Sequence, residues 1–149
     1  MTLQITLTMA GAAALLNLWL GGRVSRLRSQ FKVSVGDGGN DAVLRRMRAQ
    51  ANYIEHAPFF LILLALLELA GANGWLLWGA GIAFILARIA HGYGMDAAAP
   101  RLLRAIGMMT TAIVIVLLAG YAIFIAYQAP PLSTGVTLPA GRSASAGAS

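Results

Sequence analysis

Four stretches of the chain are almost entirely apolar, and polar or glycine-rich segments separate them. Residues 3–22 carry no charge and are rich in leucine and alanine. The later apolar stretches, residues 57–72, 75–87 and 106–125, are also uncharged apart from Glu68. A helix needs about 20 consecutive apolar residues to cross a bilayer. The pattern therefore predicts four transmembrane helices, at about residues 3–22, 41–72, 75–92 and 101–127.

The composition excludes an ordinary water-soluble domain. Hydrophobic residues make up 58% of the 149 residues and charged residues only 11%, whereas about a quarter of the residues in a soluble domain are charged. We predict an all-α integral membrane protein whose four-transmembrane-helix bundle occupies residues 1–128, so that any chemistry takes place at helix ends or between helices. Residues 129–149 are rich in proline, serine and alanine and are expected to be disordered.

The basic residues concentrate in two of the segments between the apolar stretches. Residues 23–48 carry seven positive and two negative side chains, and residues 88–104 carry three arginines against Asp96. By the positive-inside rule, both segments are expected to be cytoplasmic and both termini periplasmic. Within the first segment, residues 36–39 (Gly-Asp-Gly-Gly) predict a turn, because glycine tolerates positive φ, and either Asn40 or Asp41 is expected to cap the second helix.

Polar residues recur at helical spacing along the start of the second helix. At about 100° per residue, five of them fall on one stripe: Arg45, Arg48, Asn52, Glu55 and His56. Gln50 lies on another side of that helix. The third helix contributes Arg88 and His91 to one face, with Met95 continuing that face and Tyr93 off it, and the fourth begins with Arg101 and Arg104.

The arginines outnumber the acids that could neutralise them, which favours an anionic ligand. Guanidinium groups form bidentate bonds with carboxylates and phosphates and stay charged when partly desolvated. Topology control and snorkelling explain any one of these arginines equally well, so the inference rests on the set. The chain has no cysteine, so a thiol nucleophile would have to come from a ligand.

The string from Arg48 to Pro58 contains the pattern Arg-x-x-x-Asn-x-x-Glu, and an Arg-x-x-His pair and a basic start of the fourth helix follow it. Over about residues 5–127 the sequence resembles the MAPEG family, the membrane-associated proteins in eicosanoid and glutathione metabolism. The better-known members of this family include microsomal glutathione transferases. The Gly-Asp-Gly-Gly loop and the short length are most similar to the small bacterial branch of the family.

The resemblance implies a homotrimer that binds glutathione as co-substrate between neighbouring subunits, near the cytoplasmic face. Arg104 matches the arginine proposed to stabilise the glutathione thiolate, and Arg101 is its rival. The expected glutathione-binding residues are Arg26, Arg28, Arg45, Arg48, Gln50, Asn52, Glu55, Arg88, His91 and Tyr93. Met95 departs from the family, because well-studied members have a tyrosine at that position.

The expected activity is that of a membrane-bound glutathione transferase or peroxidase acting on a hydrophobic electrophile or a lipid hydroperoxide. The expected partners are further copies of the chain, glutathione, the hydrophobic or lipid-derived substrate and membrane lipids, with no metal and no nucleic acid, and the expected location is a bacterial inner membrane. Two alternatives remain open: a small four-helix transporter, and a non-catalytic protein that binds glutathione or lipid. The first helix has no acidic residue to drive a transporter.

Overall fold

The computed structural model describes residues 2–96 and 101–128, and of Arg101 it describes only the backbone. The secondary structure of these residues consists of four α-helices: α1 (Gln4–Phe31), α2 (Asp41–Leu69), α3 (Gly74–Gly94) and α4 (Arg101–Gln128). Each helix is long and apolar enough to cross a membrane. The predicted all-α, four-helix membrane fold is confirmed.

One face of each helix builds the core of the bundle. Along α1 the buried residues recur every three or four positions, as a helix with one inward face requires: Ile5, Met9, Ala13, Leu16, Leu20 and Val24. At the centre, the rings of Phe60 and Phe84 stack with their centroids 3.9 Å apart, and both side chains are fully buried. Large apolar residues on the other faces are exposed to the surroundings, as lipid-facing positions of a membrane bundle are.

The helices α2 and α3 hold the bundle together. Helix α1 packs against both of them, α4 packs against both of them, and α2 also touches α3. Between the described parts of α1 and α4 there is no contact. A polar site built from α2, α3 and α4 is therefore on the other side of the central pair from α1.

The first helix is longer than the sequence suggested. The prediction ended it at residue 22 and left residues 23–40 between the first two helices, but α1 continues to Phe31. A side chain on Gly21 would meet the Gln50 amide nitrogen at 3.0 Å, so this glycine allows a close helix contact and does not end the helix. The arginines that follow are good helix formers, and α1 ends only at Lys32, which adopts the left-handed conformation with φ 55°.

The turn before α2 was predicted correctly. Gly36, Gly38 and Gly39 all have positive φ, between 60° and 72°. Asn40 is the cap, because its side-chain oxygen accepts hydrogen bonds from the backbone N–H groups of Ala42 and Val43. The sequence had left Asn40 and Asp41 as equal candidates.

The remaining boundaries differ from the prediction by a few residues. Helix α2 ends at Leu69 and not at residue 72, since Gly71 with φ 74° turns the chain. The side chain of Asn73 caps α3, which therefore starts at Gly74 and runs to Gly94 rather than residue 92. The predicted disordered tail, residues 129–149, lies outside the described residues.

Glu68 has a structural role that the sequence did not reveal. Its carboxylate accepts hydrogen bonds from the backbone N–H groups of Ile5 and Thr6 at 2.9 and 2.8 Å, and from the Thr6 hydroxyl at 2.7 Å. A carboxylate at a helix N-terminus satisfies free N–H groups and complements the helix dipole. Glu68 thus joins the end of α2 to the start of α1.

Candidate functional site

Arg88 is the centre of the polar site between α2, α3 and α4. Its side chain is only 1% exposed. One terminal nitrogen donates to the Asn52 side-chain oxygen at 2.6 Å, and the other donates to the Thr111 hydroxyl at 3.3 Å. Its Nε is buried and has no hydrogen-bond partner among the described residues. A buried cation therefore has two neutral hydrogen-bond partners, and its Nε–H is unpaired within the described part of the chain.

Two neighbours of Arg88 were absent from the predicted site. Thr111 is fully buried on α4, and its hydroxyl donates to the Gly107 carbonyl at 2.7 Å, which leaves its lone pairs free for Arg88. The Arg88 guanidinium carbon lies 5.9 Å from the centre of the Tyr53 ring, and the Tyr53 hydroxyl donates to the Ala13 carbonyl at 2.6 Å. The available signal for Thr111 was its position two turns after Arg104, in the uncharged body of the fourth helix.

His91 follows Arg88 by one turn and is also buried, with 3% of its surface exposed. Its Nδ1 faces the backbone carbonyl oxygen of Arg104 at 3.5 Å. This proximity depends on Gly107, where a Cβ atom would stand 2.6 Å from the Ala87 carbonyl oxygen and 2.7 Å from the His91 Cβ. A second close approach brings Gly94 against the backbone of Arg104, so the first turn of α4 is fixed against the end of α3.

Of the five residues of the predicted stripe on α2, three are half-buried and two are exposed. Asn52 is half-buried and reaches Arg88, while Nδ1 of His56 faces the Asn52 backbone carbonyl oxygen at 2.8 Å. Arg48 and Glu55 are exposed. Arg45 is half-buried, and its Nε has no hydrogen-bond partner among the residues described. On α4, Arg104 is exposed and the side chain of Arg101 lies outside the described part.

Four of the predicted binding residues are elsewhere. The Tyr93 ring packs against Trp19 of α1 with their centroids 5.2 Å apart. Gln50 lies against Gly21 of α1, and Nε of Arg28 donates to the carbonyl of Gly36 at 3.0 Å. The fourth, Arg26, is exposed on α1. Within this protomer, the structure does not bring these four into contact with Arg88. Met95, which departs from the family pattern, is buried at the end of α3.

A second arginine centre joins α1 and α2 to the end of α3. Arg23 and Arg46 both form ion pairs with the same oxygen of Asp96, the latter at 3.0 Å. The Arg23 guanidinium carbon also lies 4.5 Å from the centre of the Trp19 ring and 5.4 Å from that of Tyr93. Sequence reasoning missed this cluster, although Asp96 is the single acid of the segment 88–104.

The site around Arg88 can bind an anion. Its guanidinium lacks an acidic hydrogen-bond partner among the described residues. The described residues contain no group of three His, Cys, Asp or Glu side chains suited to a metal ion.

Comparison with known proteins identifies one family and two relatives. A family model described as the MAPEG family matches residues 6–124. The chain is 34% identical over 82 residues to "Inner membrane protein YecN" from Escherichia coli strain K12, and equally so to the YecN of Escherichia coli O6:H1. The alignment covers 55% of this chain and 63% of each relative.

Proposed function

Because the chain belongs to the MAPEG family, which matches it over residues 6–124, we propose that it is a membrane-bound, glutathione-dependent transferase or peroxidase. Its substrate is a hydrophobic electrophile or a lipid hydroperoxide that arrives from the bilayer. The proposal includes a homotrimer in the bacterial inner membrane, with the two basic segments cytoplasmic and both termini periplasmic. The inner-membrane location is supported by the name of the YecN relatives.

The buried guanidinium of Arg88 is the observation that carries this proposal. An arginine inside a membrane bundle is costly unless it is paired, and such residues mark ligand pathways and binding sites. Arg88 is held by a neutral amide and a neutral hydroxyl, and its Nε is unused within the described residues. Glutathione carries two carboxylates and one ammonium group, so a set of arginines with a single acid, Glu55, complements its charge.

The residues of the site divide into those that bind and one that acts on the thiol. Glutathione supplies the thiol, which has an unperturbed pKa of about 8.5 and is mostly protonated at neutral pH. Arg88, Arg48 and Asn52 bind its polar groups, and Glu55 meets its ammonium group. Arg104 favours the thiolate as a nearby cation, and the contacts of Gly94 and Gly107 hold the first turn of α4 in place for this task.

The direct test follows the thiolate of glutathione on the purified full chain. Stopped-flow ultraviolet absorbance is recorded as glutathione is mixed with the wild type, Arg104→Ala, Arg104→Lys and Arg101→Ala. We expect thiolate absorbance with the wild type, its loss in Arg104→Ala and its partial recovery in Arg104→Lys. Conjugation of a generic aromatic electrophile is expected to fall in parallel.

Two controls make the result specific. Lys32→Ala removes one positive charge from the exposed end of α1 and is expected to leave the absorbance unchanged. Loss of the signal in Arg101→Ala alone would transfer the thiol role to that residue. Normal thiolate formation in both Arg104→Ala and Arg101→Ala, or no glutathione binding by the wild type, would contradict the proposal.

A non-catalytic glutathione-binding protein is the second candidate, and the position of Tyr93 favours it. Tyr93 packs on Trp19 and Arg23, and Met95 takes the place of the tyrosine that well-studied family members have. A protein of this kind would bind glutathione without thiolate absorbance and without conjugation. The stopped-flow experiment separates the two candidates.

A further inference from the structure

A groove runs along the outer surface of the bundle between α1 and α3. Ala12, Leu15 and Trp19 line it from α1, and Ile85, Ile89 and Tyr93 line it from α3. Its volume is about 420 Å³, and its walls are almost entirely apolar. The groove lies outside the site around Arg88, which α2, α3 and α4 form.

The groove ends at an aromatic pair and then at a charged cluster. Trp19 and Tyr93 form its end, and the guanidinium of Arg23 stacks on both rings. Arg23 shares Asp96 with Arg46, so two positive charges meet one negative charge. Each guanidinium has five N–H donors, and the ion pairs engage one nitrogen of each, so donors remain for a further anion.

The dimensions fit one leaflet of a bilayer. From Ala12 to Arg23 the axis of α1 rises by about 16 Å at 1.5 Å per residue. The hydrocarbon part of one leaflet is about 15 Å thick, half of the bilayer core. An acyl chain lying in the groove would therefore bring its headgroup to the level of Arg23 and Arg46.

We propose that this groove binds an anionic phospholipid, with an acyl chain between α1 and α3 and the headgroup phosphate on Arg23 and Arg46. Basic pockets between transmembrane helices are known to bind anionic headgroups, and arginine suits phosphate because of its planar donor arrangement. The net positive charge of the cluster favours such a lipid over a zwitterionic one. Trp19 and Tyr93 have the amphipathic rings that membrane–water interfaces select.

The test counts lipids bound to the full chain by native mass spectrometry. Delipidated protein in detergent receives phosphatidylglycerol or phosphatidylcholine with identical acyl chains. With basic residues near an anionic surface contributing about 1 kcal/mol each, one guanidinium corresponds to a preference of about fivefold. We expect the wild type to prefer phosphatidylglycerol by at least this factor, with one lipid per protomer.

Headgroup variants examine the charged end of the groove. Arg46→Gln is the milder change, because this side chain is 24% exposed and Arg23 keeps its partner Asp96; it is expected to lower phosphatidylglycerol binding about fivefold. Arg23→Gln with Arg46→Gln is expected to remove the preference. Lys32→Gln, which removes a charge from the exposed end of α1, is the matched control and should keep it.

A groove-filling variant examines the apolar part. Ala12→Phe is expected to weaken binding of both lipids, whereas Ala112→Phe on the exposed face of α4 should not. Equal binding of the two lipids by the wild type, or an unchanged preference in both arginine variants, would overturn the proposal. So would an altered oligomer mass in Ala12→Phe with unchanged lipid binding, because a second copy of the chain would then occupy the groove.

Discussion

The two arginine centres of this bundle differ in how their charge is compensated. Arg23 has an acid of its own chain, Asp96, together with two aromatic rings. Arg88 is more deeply buried, yet its hydrogen-bond partners are the side chains of Asn52 and Thr111, both neutral. A buried charge with no hydrogen-bonded counter-charge is expensive in a membrane, so we propose Arg88, rather than Arg23, as the centre that glutathione completes.

The difference also follows from position. The cluster around Arg23 lies where α1 continues past the apolar stretch, and its side chains are partly exposed, at 12% for Arg23 and 28% for Asp96. Arg88 lies in the tight contact between α3 and α4 that Gly107 permits. The ion pairs around Arg23 connect α1 and α2 to the end of α3. Arg88, in contrast, is enclosed between the helices.

The largest effect is expected from breaking the helix contact beside Arg88. In Gly107→Ala the added methyl carbon would lie 2.6 Å from the Ala87 carbonyl oxygen and 2.7 Å from the His91 Cβ. The first is a backbone atom and the second is bonded directly to the backbone. Overpacking of this kind costs about 3 kcal/mol of unfolding free energy. Unfolding in mixed micelles measures it, and Gly120→Ala, in open space on α4, is the control. Equal stability of the two variants would contradict the close packing described here.

The next effect comes from taking away a neutral partner of Arg88. Asn52→Leu leaves the guanidinium without its 2.6 Å hydrogen bond, which is expected to cost about 2 kcal/mol because a buried charged donor is left unpaired. Thr111→Val removes the longer 3.3 Å bond and should cost less. The same unfolding measurement checks both. A neutral outcome for Asn52→Leu would show that Arg88 does not depend on this amide.

The smallest effect is expected from Asp96→Asn, which removes the counter-charge of Arg23 and so makes this centre resemble the one around Arg88. Asp96→Asn keeps an oxygen acceptor but removes the negative charge, and partly exposed ion pairs contribute about 1 kcal/mol or less. The loss of unfolding free energy in Asp96→Asn is expected to shrink as salt is added, since salt already screens the wild-type pair. Asp37→Asn in the exposed loop is the control. A loss of more than about 1 kcal/mol of unfolding free energy that persists in high salt would show that the two centres are alike.

Most of the fold follows from hydrophobic spacing. The four apolar stretches, the glycine turn and the start of α2 were predictable because each depends on local sequence. The extension of α1 through Arg23 to Phe31 was not, because arginines after an apolar run are equally compatible with a loop and with a helix leaving the membrane. The close approach of Gln50 to Gly21 inside the extended α1 is a tertiary contact, which local sequence does not reveal.

The candidate site divides in the same way. Helical spacing correctly placed Arg88 and His91 on one face of α3, and it indicated that Gln50 and Tyr93 lie on other sides of their helices. Thr111 and Tyr53 were missed because their relation to Arg88 depends on how α2 and α4 pack on α3. Spacing within one helix carries no information about that packing.

The central proposal, that glutathione binds at Arg88 and not at Arg23, is tested most directly by thermal unfolding with and without glutathione. Wild type, Arg88→Met and Arg23→Met are compared in the same detergent at increasing glutathione concentration. A ligand that binds the folded state raises its stability according to its concentration and Kd. We predict a rising Tm for the wild type and Arg23→Met and a flat response for Arg88→Met; the same rise in Arg88→Met as in the wild type would contradict the account.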